Sequence, residues 1–181
     1  LKSGYKPIIS TAYQALGTFH NWFNNSKKFE ECNSKANETA KEIGNKFFIA
    51  WNLISLARIK RQKREYHEAT QLFEKVIALS KEMNSTLLLT VYINLGEIYR
   101  FTYQLDKAIE CYHKALKYTI FENHINYLCL GLVYFWKYDL KQAQEYFLKA
   151  LKASKDLNEM IERPVILYNL ILIQLESNEI D

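Results

Sequence analysis

The sequence predicts an all-α fold built as an array of antiparallel helix hairpins. A pattern of Leu-Gly and an aromatic residue, then a small, an aromatic and a small residue, recurs along the chain. The two clearest copies are Leu95-Gly96, Tyr99, Ala108, Tyr112 and Ala115, and Leu130-Gly131, Tyr134, Ala143, Phe147 and Ala150. Weaker copies begin at Leu16, Leu56 and Leu170, so the leading leucines are 40, 39, 35 and 40 residues apart. This period is typical of stacked repeats.

Composition also favours helices. The 181 residues include only 5 Gly and 2 Pro, too few for the many tight turns of a β-rich fold. With 49% hydrophobic and 24% charged residues, the chain has the composition of an ordinary globular domain with a substantial core. Gly44 and Pro164 fall where hairpins should join.

The spacing within one copy explains the hairpin. Positions i, i+3, i+4 and i+7 of a first helix are Tyr92, Leu95, Gly96 and Tyr99, which lie on one stripe. A second helix carries the small and aromatic stripe that starts at Ala108. Small residues let the two helix axes approach closely, and the aromatic residues fill the remaining volume. Since a hairpin cannot bury its own apolar faces, successive hairpins must stack, which gives a concave and a convex side.

The five copies define the predicted domain organisation, a single array over residues 1–181. The predicted units are repeats at 10–44, 50–84, 89–122 and 124–158 and a final helix at 162–177. The first two copies depart from the pattern, because Phe29 stands at a small position and Lys60 at an aromatic one.

These residues resemble the tetratricopeptide repeat family, whose consensus has Leu, Gly and Tyr in helix A and Ala, Phe or Tyr, and Ala in helix B. The resemblance spans nearly the whole chain. It implies a right-handed superhelical array of antiparallel helix hairpins, a TPR-like α-solenoid. It also implies a non-catalytic scaffold for protein–protein interaction that binds a peptide in its concave groove. Units near 40 residues are similar to those of kinesin light chain and of bacterial peptide-sensing regulators.

Carrying the family's groove positions onto this chain gives a predicted peptide-binding groove. Its residues are Trp51, Ile54, Arg58, Arg61, Asn94, Glu97, Arg100, Phe101, Leu132, Phe135 and Trp136. Arginine offers a planar fork for a carboxylate, and an asparagine can bond a peptide amide as both donor and acceptor. The expected partner is a protein or peptide segment with an acidic and a large apolar residue. Packing of Phe135 and Trp136 against the adjacent repeat is the alternative.

The strongest local charge feature is the basic run at 58–64, with five cations in seven residues. Three interpretations of this run are open. It is a helix C-terminus where cations complement the helix dipole, a binding site for an acidic peptide, or a patch that binds nucleic-acid phosphates. The formal net charge of +4 is too mild to indicate nucleic acid without a broader basic stripe. Nucleic-acid binding through this run, with Trp51 stacking on bases, is the least favoured function.

No catalytic or metal-binding pattern is present in the sequence. The four His residues are isolated, and no nucleophile elbow or phosphate-binding glycine loop occurs. We therefore expect no enzyme activity, no cofactor and no metal. The three cysteines are widely spaced and odd in number, which favours a reducing compartment. Without a bilayer-spanning apolar run or a signal-peptide pattern, the expected location is cytoplasmic and no membrane contact is expected.

The last helix is apolar on nearly all sides between residues 165 and 175. An array normally ends in a helix with a polar outer face. Two explanations remain open: a further helix in a longer protein covers this surface, or a homodimer forms through residues 165–175. In the first case the chain is a fragment, and it could be the peptide-sensing regulatory half of a larger signalling or transcription regulator.

Overall fold

A computed structural model describes residues 5–23, 25–81, 87–119, 123–156 and 163–178. Within these residues every regular element is an α-helix, which confirms the predicted all-α fold. The helices are α1 Lys6–Trp22, α2 Ser26–Glu42, α3 Lys46–Gln62, α4 Tyr66–Lys81, α5 Leu87–Phe101, α6 Leu105–Leu116, α7 His124–Trp136, α8 Leu140–Asp156 and α9 Arg163–Asn178. The predicted boundaries at 84, 122, 158 and 162 lie outside the described residues.

The helices belong to two compact units, one ending at Val91 and one beginning at Tyr92 within α5. In unit 1, α1 packs on α2, α2 on α3 and α3 on α4. In unit 2, α6 packs on α7, α7 on α8 and α8 on α9. Each unit is therefore a stack of consecutive antiparallel helices, as the repeat pattern predicts. The organisation as one continuous domain stays a prediction.

Asparagine side chains cap the N-termini of several of these helices. Asn25, Asn45 and Asn123 precede α2, α3 and α7 and accept a hydrogen bond from the backbone N–H three residues later, at 3.2, 3.1 and 3.0 Å. Asp139 caps α8 in the same way at 3.1 Å. Each cap satisfies one of the backbone donors that a helix leaves unpaired at its N-terminus, which fixes where the helix begins.

Glycine–aromatic contacts hold the hairpins of unit 2 together. A Cβ atom placed on Gly96 of α5 would lie 2.5 Å from Cε1 of Tyr112 in α6, and one on Gly131 of α7 would lie 2.6 Å from Cδ1 of Phe147 in α8. Both aromatic rings are fully buried. No side chain larger than hydrogen fits at either glycine without a shift, so the absence of Cβ sets the approach of the two helices.

Buried amides bond neighbouring helices at the same position of two repeats. Asn52 and Asn126 lie four residues before Leu56 and Leu130, and both side chains are fully buried. Asn126 Nδ2 donates to the carbonyl oxygen of Tyr112 at 3.0 Å, which joins α7 to α6. Asn52 Oδ1 accepts from Nε2 of Gln14 at 2.6 Å, which joins α3 to α1. Such bonds are directional, so they fix the register of the two helices that they join, which apolar packing alone does not do.

The turns inside three hairpins share an unusual backbone conformation. Arg64, Tyr103 and Tyr138 have φ angles of 63°, 56° and 62°, in the left-handed region that favours glycine. Each lies eight residues after the leading leucine of its repeat. The turn between α2 and α3 uses Gly44, with a φ of 65°. The three side-chain-bearing residues therefore carry backbone strain of about 1–2 kcal/mol each.

We predict that Gly131→Ala lowers the free energy of unfolding, measured by urea denaturation, by about 1 kcal/mol. Overpacking against Phe147 costs about 1–3 kcal/mol, which outweighs the better helix propensity of alanine, about 1 kcal/mol. Gly17→Ala is the matched control, because a Cβ there would lie 3.4 Å from Cβ of Cys32, an ordinary contact. Gly17→Ala should be neutral or stabilising, and an equal loss in both variants would contradict the role given to Gly131.

We predict that Tyr138→Gly raises the free energy of unfolding by about 1 kcal/mol, because glycine adopts a positive φ without strain. The Tyr138 side chain is 65% exposed, so little packing is lost. Thermal and urea unfolding would measure the gain. The comparison variant is Tyr138→Ala, which keeps the strain and should give no gain. A stability unchanged by the glycine would rule out significant strain at this turn.

Candidate partner-binding surface

Four side chains of unit 2 form what we call the aromatic–arginine cluster: Arg100, Phe101, Tyr103 and Trp136. The guanidinium carbon of Arg100 lies 4.5 Å from the ring centroid of Phe101 and 5.0 Å from that of Trp136. The Tyr103 ring stacks on Trp136, with centroids 5.9 Å apart and planes 22° from parallel. Both contact types are attractive: the guanidinium by cation–π interaction and the rings by offset stacking.

The ends of two helices position this cluster. Arg100 and Phe101 are the last two residues of α5, Tyr103 lies in the turn that follows, and Trp136 is the last residue of α7. A cation in the last turn of α5 also complements the helix dipole. Although they touch one another, Phe101, Tyr103 and Trp136 remain 47%, 79% and 42% exposed. The cluster is therefore a surface whose rings are already held in place.

Burial controls the electrostatics next to Arg100. Burial raises the pKa of Tyr112 well above its usual range, and the nearby Arg100 guanidinium only partly opposes the rise. The phenol therefore stays neutral at physiological pH, and Arg100 gains no phenolate counterion from it.

The other residues predicted for the groove in unit 2 lie deeper. Asn94 is buried, 7% exposed, and Glu97 is half-buried. Leu132 and Phe135 pack against the apolar core of α7, α8 and α9, which includes Phe147. Phe135 thus supports its helix against the neighbouring ones, in keeping with the packing alternative drawn from the sequence, whereas Trp136 reaches the surface.

The residues predicted for the groove in unit 1 are spread between surface and core. Trp51 is 48% exposed and stacks on Phe47, with ring centroids 6.2 Å apart. Arg58 is exposed and lines a cleft of about 240 Å³ that also contains Trp22. Ile54 is only 5% exposed and belongs to the core, so it offers no surface to a ligand. Arg61 is half-buried. A groove that joins these residues to those of unit 2 stays a prediction.

Carboxylates occupy part of the basic run at 58–64. Lys60 forms ion pairs with Glu65 and, at 2.6 Å, with Glu68, and these hydrogen bonds raise the pKa of Lys60. Lys63 pairs with Glu30 at 2.8 Å. Lys60 also lies in the last turn of α3, where a cation complements the helix dipole. Arg61 lies in the same last turn, so at least three of the five cations stabilise the local structure.

Comparison with known proteins identifies the family of the repeat. Residues 48–119, from α3 to α6, match the family model described as tetratricopeptide repeat. This part of the chain carries tetratricopeptide repeats. The fold agrees over a wider range: the crystal structure of BtubC (BKLC) from P. vanneervenii superposes with a TM-score of 0.81. That match covers 92% of this chain and 72% of BtubC at 19% sequence identity, which shows a common fold. Comparison with the curated proteins gave no match.

The matched repeats indicate the general role of residues 48–119. Repeats of this family are protein–protein interaction modules and are typically non-catalytic. Among the residues that the structure describes, no group of three or more His, Cys, Asp or Glu side chains is placed to hold a metal ion. None of the described helices has the length and apolarity that crossing a membrane requires.

Tyr103 is the cluster residue that groove positions alone do not identify. It lies in the hairpin turn, outside the helix-A positions from which the groove was predicted. The sequence does contain a signal, because a large side chain occurs eight residues after the leading leucine in three repeats, at Arg64, Tyr103 and Tyr138. Where this side chain lies depends on the positive φ of the turn, which only the structure provides.

Proposed function

We propose that this tetratricopeptide-repeat chain is a non-catalytic scaffold that binds a segment of a partner protein at the aromatic–arginine cluster of unit 2. The observation that carries the proposal is the exposed stack of Tyr103 on Trp136 beside the Arg100 guanidinium. Trp, Tyr and Arg are the residue types that dominate binding energy at protein interfaces. The expected cytoplasmic location stays a prediction.

The chemistry of the cluster selects its partner. The exposed parts of the Phe101 and Trp136 rings favour a large apolar side chain, because its burial removes apolar surface from water on both partners. Arg100 favours a carboxylate, which its planar fork can bind with two parallel hydrogen bonds. The proposed ligand is therefore a segment with one acidic and one large apolar residue at neighbouring positions.

Preorganisation strengthens the proposal. Rings that are already stacked lose little rotamer freedom when a ligand binds, and fixing a free side chain costs about 0.5–1.5 kcal/mol. The turn conformation of Tyr103, which recurs at Arg64 and Tyr138, fixes where its ring meets Trp136.

We predict that Arg100→Gln weakens binding of short peptides that pair Asp or Glu with Phe, Trp or Leu by about tenfold or more, through loss of a charge-assisted hydrogen bond. Lys152→Gln, which removes a positive charge from an exposed position of α8, should bind as wild type does. A peptide array followed by calorimetry would measure both, with Lys replacing the acid as the charge control. Equal loss in both variants, or none in Arg100→Gln, would reject this site.

A second interface is proposed on α9, where one face is apolar and open. Val165, Leu167, Tyr168, Ile171 and Leu175 are between 44% and 61% exposed. Exposed apolar faces of this kind mark interaction surfaces in folded proteins. We propose that the face pairs with the same face of a second copy, in a homodimer through residues 165–175.

We predict that light scattering of the 181-residue chain shows a concentration-dependent dimer that Ile171→Glu converts to a monomer. A buried charge without a partner would oppose the apolar contact. Gln144→Glu introduces the same charge at an exposed polar residue of α8 and should leave the dimer intact. A wild-type mass that stays monomeric over the concentration series would remove the dimer from the proposal and leave the cluster on unit 2 unaffected.

A further inference from the structure

A second cleft on unit 1 is lined by none of the residues predicted for the groove. It has a volume of about 370 Å³ and lies among α2, α3 and α4, and we call it the α2–α4 cleft. Ile49 and Leu53 of α3 and Leu79 of α4 line it with apolar atoms, and Asn37, Lys41 and Lys75 line it from α2 and α4. Its volume lies within the range of small-ligand sites and accommodates one large side chain.

Side-chain size explains why this cleft is open. Leu53 lies three residues before the leading Leu56 of its repeat, and the equivalent residue before Leu130 in unit 2 is Tyr127. The ring of Tyr127 lies 6.4 Å from that of Tyr146, which in turn stacks on Tyr134 at 5.4 Å. In unit 2, three aromatic rings therefore occupy the surface around this position. In unit 1 a leucine is present instead, and space is left above it.

The charge around the cleft has one sign. Lys41 contributes from α2 and Lys75 from α4, and no acidic residue lines the cleft. Neither ammonium group forms an ion pair within the part of the chain that the structure describes. An anionic group at the rim would thus gain two cations and meet no opposing carboxylate among the lining residues.

The lining calls for a carboxylate beside a large apolar group. Two kinds of molecule carry both: an acidic peptide segment and the anion of a fatty acid. Tetratricopeptide repeats bind protein partners, so the peptide is the favoured occupant.

We propose that the α2–α4 cleft binds an extended segment of a partner protein, with a large apolar side chain in the cleft and an adjacent acidic residue between Lys41 and Lys75. This site is independent of the aromatic–arginine cluster, because it uses other residues in the other unit. The chain would then contact protein partners through both of its units.

The test uses the full chain, with methyl groups and Trp side chains observed by NMR, and the peptide acetyl-Asp-Leu-Phe-Asp-amide at up to millimolar concentration. The methyl signals of Ile49, Leu53 and Leu79 should shift and saturate. The charge-reversed peptide acetyl-Lys-Leu-Phe-Lys-amide should not shift them. The double variant Lys41→Glu/Lys75→Glu should weaken binding by about tenfold or more. Lys27→Glu/Lys152→Glu makes the same charge change at other exposed lysines and should bind as wild type does.

Leu53→Tyr, which copies the unit 2 residue, should abolish the shifts by filling the cleft. If this variant does not fold, the lysine variants decide. The proposal is overturned if the cleft methyls do not respond to the acidic peptide, or if sodium dodecanoate shifts them and the peptide does not. A response of the Trp136 indole alone would also overturn it, while supporting the cluster on unit 2. A response of the cleft methyls alone would support the cleft and count against the cluster.

Discussion

The close approach of two helices over a glycine is the constraint on which the structure of unit 2 depends. At Gly96 and Gly131 the facing aromatic ring occupies the space that a Cβ would need. This contact brings α5 against α6 and α7 against α8, and the buried rings of Tyr112 and Phe147 then fill the core. Because packed interiors tolerate little change in volume, the positions of the helix ends follow from these contacts.

The candidate binding surfaces are consequences of that packing. With α5 and α7 held in place, the last residues of both helices meet, and Arg100 comes to lie near Trp136. The strained turn after α5 places the Tyr103 ring against the same indole. Rigid helices thus carry the exposed rings, and binding energy is not lost in ordering them.

The two units show how one repeat pattern supports different surfaces. Both contain the small and aromatic stripe, since the stripe builds the core. Residues outside the stripe are free to differ, as at Leu53 in unit 1 and Tyr127 in unit 2. The smaller side chain leaves a cleft flanked by Lys41 and Lys75, whereas Tyr127 lies in an aromatic cluster with Tyr146 and Tyr134. Specificity in such arrays therefore depends on residues that the pattern does not constrain.

The sequence by itself determined the helical hairpins, because the 3.6-residue period of apolar and small residues leaves one way to bury the stripes. The resemblance to the tetratricopeptide repeat, carried over position by position, also identified Arg100, Phe101 and Trp136 as candidates. Only the tertiary structure decided which of the candidates are accessible: Ile54 and Asn94 are covered, and Trp136 is not. Accessibility depends on neighbouring helices that are distant in sequence. The position of the Tyr103 ring depends on a backbone angle. Neither can be read from the period of a single helix.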